Sequence, residues 1–341
     1  METGFRDKMR FHITPYLRRQ MRDHPPQFAF SAIDRQGWIA WRQELRGKLR
    51  DLLGPWPERS DLTAEIVRVD DAGDHWREDV VLSSHSNLEI PCYLLIPKAE
   101  TGYPRPAILA LHGHGGGMKA TVGRTRNKDG QSYGLQMVRA GYVVLAFDAF
   151  PFGTRKETDH NAKSGYEYAC NSTFIRSMLW GYNLLTLNTF DAFRTIDYLE
   201  TRPEVDPERI GVMGCSYGGT RSMYAAILDR RIKAAVLSCS LGEYRGHGIE
   251  LDELCGAQVV PGILQWAEMG DVAGLLAPMP LLTESARGDV AFPWSFTEPT
   301  LKRLREVYHV AGVQDHLVTN IYDGGHRYYG GGVPEFFGKY L

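Results

Sequence analysis

The segment Gly214-Cys215-Ser216-Tyr217-Gly218 constrains the fold of this chain more than any other. Residues 209–213 have the pattern of a short buried strand, and residues 219–228 have the pattern of a helix. A serine between a strand and a helix, with glycine two positions away on each side, is typical of a nucleophile on a strained turn. We therefore predict that Ser216 lies exposed at the positive end of the following helix. The competing interpretation is an ordinary glycine-rich turn.

Length, charge and cysteine usage limit the class of protein. A chain of 341 residues suits one α/β domain with additions. The net charge of −2 gives no electrostatic reason to bind nucleic acid or an anionic membrane. Residues 1–19 are charged and lack an apolar run, which argues against a signal peptide or a membrane span. The five cysteines form no CxxC pair, so we expect reduced thiols and a cytoplasmic protein.

The order of apolar segments predicts the architecture. Residues 1–60 form an N-terminal helical extension, and residues 61–341 form a catalytic domain. Three strand-like segments open that domain as an antiparallel meander, and short apolar runs then alternate with helices. This alternation predicts an α/β fold with a doubly wound, mostly parallel sheet. The predicted strands span residues 63–69, 76–83, 88–96, 107–111, 142–147, 209–213, 234–238, 279–284 and 317–322, and the clearest helices span residues 36–53, 131–139 and 184–200.

Two long insertions follow strand ends, at residues 150–182 and 241–277. In a parallel sheet such positions lie on the ligand-binding side, so we expect cap-like pocket walls there. Both insertions are rich in aromatic residues. We expect Phe150, Phe152 and Trp180 to lie above the site and to narrow it.

A serine nucleophile needs an imidazole base that a carboxylate orients. In folds with this turn the chain order is serine, acid, histidine, which restricts the search to residues after 216. His326 follows the last predicted strand in a glycine-rich loop and is preferred over His247, His309 and His316. Asp289 lies on the loop after the preceding strand. It is preferred as the acid over Glu284 at the strand end and over Asp315.

The oxyanion of an acyl-transfer intermediate needs two N–H donors. One is the amide of Tyr217, directly after the nucleophile. The other is assigned to His114, in the glycine-rich segment 112–117 that follows a predicted strand. A rival interpretation makes His112 and His114 half of a metal site, but no third ligand has matching spacing. The sequence therefore predicts no metal and no cofactor. Asp148, which ends another predicted strand, is expected to fix its loop.

Five segments together resemble the dienelactone-hydrolase-like branch of the α/β-hydrolases, and within it the acetyl xylan esterases and cephalosporin deacetylases. The resemblance implies an α/β-hydrolase fold and supports Ser216, Asp289 and His326 as the triad. The better-known deacetylases carry glutamine and tyrosine where this chain has Tyr217 and His114. These segments are LHGHGGG at 111–117, DAFPFGTR at 148–155, residues 202–222, residues 280–293, and YDGGHRYYG at 322–330.

The sequence thus favours a serine carboxylic-ester hydrolase that acts through an acyl-enzyme on a small-molecule, short-acyl ester. The same triad would also cleave an amide, a peptide or the C–C bond of a β-diketone, and the sequence leaves these alternatives open. A non-enzymatic binding protein would need a broken triad, and none of its members is missing. Relatives often form homo-oligomers, but the sequence carries no isolated interface pattern.

Overall fold

A computed structural model of the protein describes residues 12–85, 87–98, 102–125, 132–157 and 166–341. Helices and strands alternate along most of this length. The helices are α1 (Ile13–Asp23), α2 (Arg35–Leu52), α3 (Gly117–Thr121), α4 (Tyr133–Arg139), α5 (Tyr166–Leu179), α6 (Leu184–Thr201), α7 (Tyr217–Leu228), α8 (Met269–Gly274), α9 (Trp294–Val310) and α10 (Val333–Tyr340). The strands are β1 (Ala64–Asp71), β2 (His75–Ser83), β3 (Glu89–Pro97), β4 (Arg105–Leu111), β5 (Val143–Phe147), β6 (Val205–Cys215), β7 (Ile232–Ser238), β8 (Leu281–Ala286) and β9 (Leu317–Tyr322).

The described strands form one nine-stranded sheet in the order β1-β2-β3-β5-β4-β6-β7-β8-β9. The strands from β1 to β3 pair antiparallel, and β3 also meets β5 antiparallel. All pairings from β5 onward are parallel. The predicted antiparallel meander and doubly wound, mostly parallel sheet are therefore confirmed. Because β4 lies between β5 and β6 and is parallel to both, the loops that follow these three strands meet at their carboxyl-terminal ends.

The burial of the strands follows from their residue types. β5 reads Val-Val-Leu-Ala-Phe and is buried throughout, as a parallel strand covered on both faces must be. β2 alternates between buried and more exposed positions, as a half-covered antiparallel strand does. β1 lies at the sheet edge, is almost wholly exposed and carries charges, which disfavour pairing with another chain.

Helix α2 illustrates how the N-terminal segment packs. The carboxylate of Asp34 accepts a hydrogen bond from the amide of Gly37 (2.7 Å) and caps the helix. Trp38, Trp41 and Leu45, at helical spacing, are buried in the hydrophobic core that covers one face of the sheet. The indole N–H of Trp41 also donates to the carbonyl of Phe28 (2.8 Å).

The second face of the sheet is covered by α4 and α10, whose apolar side chains form a separate core with the strands. Most boundaries differ from the prediction by at most two residues, but the strand predicted at 209–213 spans Val205–Cys215. The predicted helix at 131–139 begins at Tyr133, and its residue 131 lies outside the described residues. Residues 1–11 of the predicted extension and 158–165 of the first insertion also lie outside them. Among the helices that the structure describes, none is long and apolar enough to cross a membrane.

Candidate active site

Ser216 lies on the sharp turn between β6 and α7, where the sequence places it. It is only 9% exposed, so the prediction that it lies exposed is wrong: the loop after β4 passes beside it and covers it. Its φ of 58° is in the left-handed region, which non-glycine residues seldom adopt, so the turn is strained. A Cβ on Gly218 would lie 1.9 Å from the carbonyl oxygen of Leu111, and one on Gly214 would lie 2.3 Å from the backbone of Gly218. Both glycines are thus required by close backbone approach, as the motif predicts.

The loop after β4 passes directly beside this turn. A Cβ on Gly113 would lie 2.9 Å from the carbonyl oxygen of Cys215 and 3.4 Å from Cβ of Ser216. The ring of His114 stacks on that of Tyr217, with centroids 5.0 Å apart. The two residues predicted to supply the oxyanion amides are therefore neighbours in the structure.

Asp289 and His326 come together on the loops that follow β8 and β9. Nδ1 of His326 lies 2.8 Å from Oδ2 and 3.1 Å from Oδ1 of Asp289. Oδ1 also accepts hydrogen bonds from the amides of Ala291 and Phe292, both at 2.9 Å. Burial acts to raise the pKa of Asp289, but the hydrogen bond and charge of His326 outweigh it and hold that pKa below its usual value. The pair is built to keep an imidazole oriented by an ionised carboxylate.

The Ser216 turn and the Asp289–His326 pair adjoin through β7. The amide of Ser216 donates to the carbonyl of Ser238 (2.8 Å), the last residue of that strand. The next residue, Cys239, has its sulfur within 4.8 Å of ligand atoms of both Asp289 and His326. All three predicted triad residues therefore lie at the carboxyl-terminal ends of the parallel strands.

Glu284, the alternative acid, has a different environment. Its carboxylate is buried and accepts hydrogen bonds from the amides of Gly330 (2.8 Å) and Tyr329 (3.3 Å). Burial raises its pKa, although these donors and Ser238 oppose the rise. Glu284 thus fixes the segment just after His326. This placement supports Asp289, on the loop, as the partner of the imidazole.

The other candidate histidines lie elsewhere. His309 is exposed on α9, and Nδ1 of His316 contacts the carbonyl of Pro278 at 2.7 Å. His247 is buried and packs on Phe292 (4.1 Å between centroids), whose ring in turn stacks on His326 at 5.8 Å. Burial lowers the pKa of His247 to about 4, so this ring is neutral at pH 7. His247 lies in the second insertion, which the sequence predicts to wall the site, and Phe292 separates its ring from that of His326.

The structure argues against the rival interpretation of His112 and His114 as two ligands of one metal site. Nε2 of His112 accepts a hydrogen bond from the amide of Ala149 (3.0 Å), and its Nδ1 lies 2.7 Å from the carbonyl oxygen of Gly113. Burial, together with the charge of Arg221, lowers the pKa of His112 well below its usual value. Both ring nitrogens are used within the fold, so His112 cannot ligate a metal.

The three aromatic residues predicted to lie above the site, Phe150, Phe152 and Trp180, have different environments. Phe152 is buried, and its ring lies 5.5 Å from that of His114 and 5.8 Å from that of Tyr217. Phe150 is partly buried beneath the guanidinium of Arg155. Trp180 is 82% exposed, so the prediction that it walls the site is wrong. It sits on the turn after α5, and its apolar character alone did not reveal that exposure.

Asp148 fixes the loops around the site, as expected. Its carboxylate accepts hydrogen bonds from the amide of Met118 (2.7 Å) and from the amide (2.8 Å) and hydroxyl (3.0 Å) of Thr154. It thereby joins the first turn of α3, after the oxyanion loop, to the first insertion. Tyr217 is buried with its hydroxyl 2.8 Å from the amide nitrogen of Asn188, so its side chain packs inward.

A cavity of about 970 Å³ lies between α1 and the second insertion, with Tyr16, Met21, Tyr244 and Val260 among its lining residues. None of the predicted triad residues lines it. Any reaction at Ser216 therefore takes place at the carboxyl-terminal ends of the parallel strands and not in this cavity.

The chain belongs to the Abhydrolase family, whose model matches residues 4–317. This confirms the α/β-hydrolase resemblance and fold. The chain is also similar to the Bacillus subtilis protein named "Putative hydrolase YtaP", with 29% identity over 80% of this chain and 90% of that protein.

Solved esterase structures share the fold at low identity. A "putative acetyl xylan esterase" from Bacteroides fragilis superposes with a TM-score of 0.75 at 19% identity, over 94% of this chain and 83% of that one. The glucuronoyl esterase from Solibacter usitatus gives a TM-score of 0.66 at 17% identity, over 92% and 96% of the two chains. The esterase group that the sequence resembles is thus present among these structures.

Proposed function

We propose that the protein is a serine ester hydrolase with Ser216, His326 and Asp289 as its triad. The observation that carries the proposal is the hydrogen-bonded Asp289–His326 pair beside a strained serine turn. The family and the esterases among the solved structures support ester cleavage. The hydrolytic step follows from ordinary triad chemistry.

In the proposed mechanism, Ser216 Oγ attacks the acyl carbon while Nε2 of His326 takes its proton. Asp289 holds Nδ1–H and stabilises the imidazolium. The amides of His114 and Tyr217 stabilise the oxyanion, and the N-terminus of α7 adds a favourable dipole. Collapse of the intermediate expels the alcohol, which receives the proton. Water activated by His326 then releases the acid from the acyl-enzyme.

We further propose a preference for short acyl groups, on a small-molecule ester in the cytoplasm. The buried ring of Phe152 packs beside both oxyanion residues and limits the room for an acyl chain. The names of the solved relatives suggest two carbohydrate substrate classes. An acetyl ester puts a small acyl group at this site, whereas a glucuronoyl ester puts a sugar acid there. The packing of Phe152 favours the first.

The test is kcat/KM for p-nitrophenyl esters from acetyl to decanoyl, together with an acetylated sugar, methyl glucuronate and a peptide anilide. We expect acetyl to butyryl esters to be cleaved fastest. A steady rise to decanoyl would contradict the short-acyl preference. Turnover of the anilide alone would contradict ester hydrolysis.

Variants test the nucleophile separately. Ser216→Ala should lower kcat by at least about 10³-fold, because the triad acts as a unit. Ser222→Ala is the matched control, since this buried serine lies on α7 and donates only to the carbonyl of Gly218 (2.8 Å). A fluorophosphonate should label Ser216 in the wild type and not in Ser216→Ala. A folded Ser216→Ala protein with most of its activity would refute the mechanism.

A further inference from the structure

Two thiols and one imidazole that are far apart in the sequence lie close together beside the serine turn. Nε2 of His114 lies 3.2 Å from Sγ of Cys255, and a ring nitrogen of His114, Sγ of Cys255 and Sγ of Cys170 all lie within 4.8 Å of one another. Cys170 is on α5 in the first insertion, and Cys255 is in the second insertion. The triad does not use either thiol. The cluster shares His114 with the proposed catalytic machinery, but it uses the imidazole ring of that residue, whereas the oxyanion hole uses its backbone amide.

We propose that His114, Cys170 and Cys255 form a Zn²⁺-binding site. Zinc binds thiolate at about 2.3 Å and imidazole at about 2.0–2.1 Å in a tetrahedron, so its ligand atoms lie roughly 3–4 Å apart. The 3.2 Å between Nε2 of His114 and Sγ of Cys255 lies within this range, and the other separations are at most 4.8 Å, so a small inward movement would close the site. Two thiolates and one neutral imidazole would balance the charge of Zn²⁺, which suits a buried position. A fourth position remains for water or another ligand.

The surroundings hold these ligands in place. The His114 ring is packed between Tyr217 and Phe152, with centroids 5.0 and 5.5 Å away. The side-chain carbonyl of Asn171, next to Cys170, accepts the amide of Gly256, next to Cys255, at 2.7 Å. A Cβ on Gly256 would lie 2.5 Å from Cβ of Phe174, so α5 and this segment are in close contact.

The burial of the three ligands indicates how an ion would enter. Both sulfurs are buried, whereas His114 is half-buried, so the ion would enter from the side of the imidazole.

Co²⁺ is the probe, because thiolate ligation gives a near-ultraviolet charge-transfer band whose intensity increases with the number of sulfurs. The reduced full-length protein is titrated anaerobically, and Zn²⁺ should then abolish the band by displacing Co²⁺. Cys170→Ala and Cys255→Ala should each weaken the Co²⁺ affinity by at least about 100-fold, the upper end of what loss of a merely supporting residue costs. His114→Asn should weaken it similarly.

Two further cysteine variants control the experiment. Cys92→Ala removes a buried thiol from the sheet and should leave the band unchanged. Cys239→Ala tests the second cluster, in which Cys239, Asp289 and His326 lie within 4.8 Å of one another. Loss of the band in Cys239→Ala, its survival in both Cys170→Ala and Cys255→Ala, or its absence from the wild type would overturn the proposal.

Stability provides a readout that does not need hydrolase activity. Because zinc would join the oxyanion loop to both insertions, Zn²⁺ should raise the unfolding midpoint of the wild type and not that of Cys255→Ala. Chelation should reverse the rise. If the variants unfold at the wild-type midpoint without metal, loss of the band reports lost ligation and not misfolding. An unchanged wild-type midpoint at saturating Zn²⁺ would count against the site.

Discussion

Asp289→Asn tests the orientation of His326 more sharply than removal of the side chain. Oδ1 of Asp289 accepts two backbone amides, from Ala291 and Phe292, and these donors will keep the single oxygen of asparagine in that position. The NH₂ group then occupies the place of Oδ2, which lies 2.8 Å from Nδ1 of His326. Two donors cannot face each other, so the imidazole must accept at Nδ1 and carry its proton on Nε2.

In that tautomer His326 cannot take the proton of Ser216. We expect kcat to fall by about 10⁴-fold, the loss typical of this change in a serine triad. At 1.36 kcal/mol per tenfold, that corresponds to about 5.4 kcal/mol of transition-state stabilisation. KM should change little, because Asp289 does not contact the substrate in the proposed mechanism.

The assay is steady-state hydrolysis of p-nitrophenyl acetate, with thermal unfolding to show that the variant is folded. Glu284→Gln is the matched control, since it neutralises a buried acid within β8 without touching Nδ1 of His326. A folded Asp289→Asn enzyme with more than a tenth of the wild-type kcat would refute the tautomer argument. A larger loss in Glu284→Gln would show that the wrong acid has been assigned.

Three other predictions concern stability and acyl selectivity. Because burial lowers the pKa of His247 to about 4, its contribution to the free energy of unfolding is complete above pH 6.5 and is lost as the pH falls from 6.5 to about 4. Chemical denaturation should show a loss of up to about 3 kcal/mol over this range, and His247→Phe should reduce the pH dependence. Arg155→Ala removes the ion-pair partner that lies 2.5 Å from the buried Asp191, and it should lower the free energy of unfolding in urea by about 3 kcal/mol. An effect below 1 kcal/mol, within the roughly 0–1 kcal/mol range of exposed pairs, would contradict this burial argument. Phe152→Ala should raise kcat/KM for longer esters relative to acetate by roughly fourfold for each methylene that the pocket then accommodates. Trp180→Ala, at an exposed position, should leave the chain-length profile unchanged. Equal profiles for the wild type and Phe152→Ala would remove the steric basis of the short-acyl proposal.

The fold could be predicted because its signals are local. A continuous apolar run such as β5 indicates a strand buried on both faces, and glycine punctuation indicates where each strand ends. The serine turn is specified within five residues, since its geometry depends on backbone approach that only glycine permits. The order of strands along the chain then limits where an acid and an imidazole can meet that serine. Asp289 and His326 were predicted in this way, and the structure brings their side chains within 2.8 Å.

The remaining features depend on contacts between segments that no spacing connects. His114, Cys170 and Cys255 come from a strand loop and two insertions, and their convergence requires α5 to pack on the segment after Cys255. The insertions have no period-two pattern that would fix their faces, so Trp180 and Phe152 seemed equivalent in the sequence. Only packing separates them, with Trp180 in solvent and Phe152 against His114.

The strained backbone of Ser216 has an evolutionary consequence. A residue held in a sparsely populated backbone region costs about 1–3 kcal/mol, and glycine at the same position would relieve much of it. Selection for folding stability alone would therefore replace this serine with glycine. A chain that retains serine at a φ of 58° gives up stability that a single substitution would recover. Drift towards glycine here should accordingly be the first mark of a lineage that has lost the need for a nucleophile.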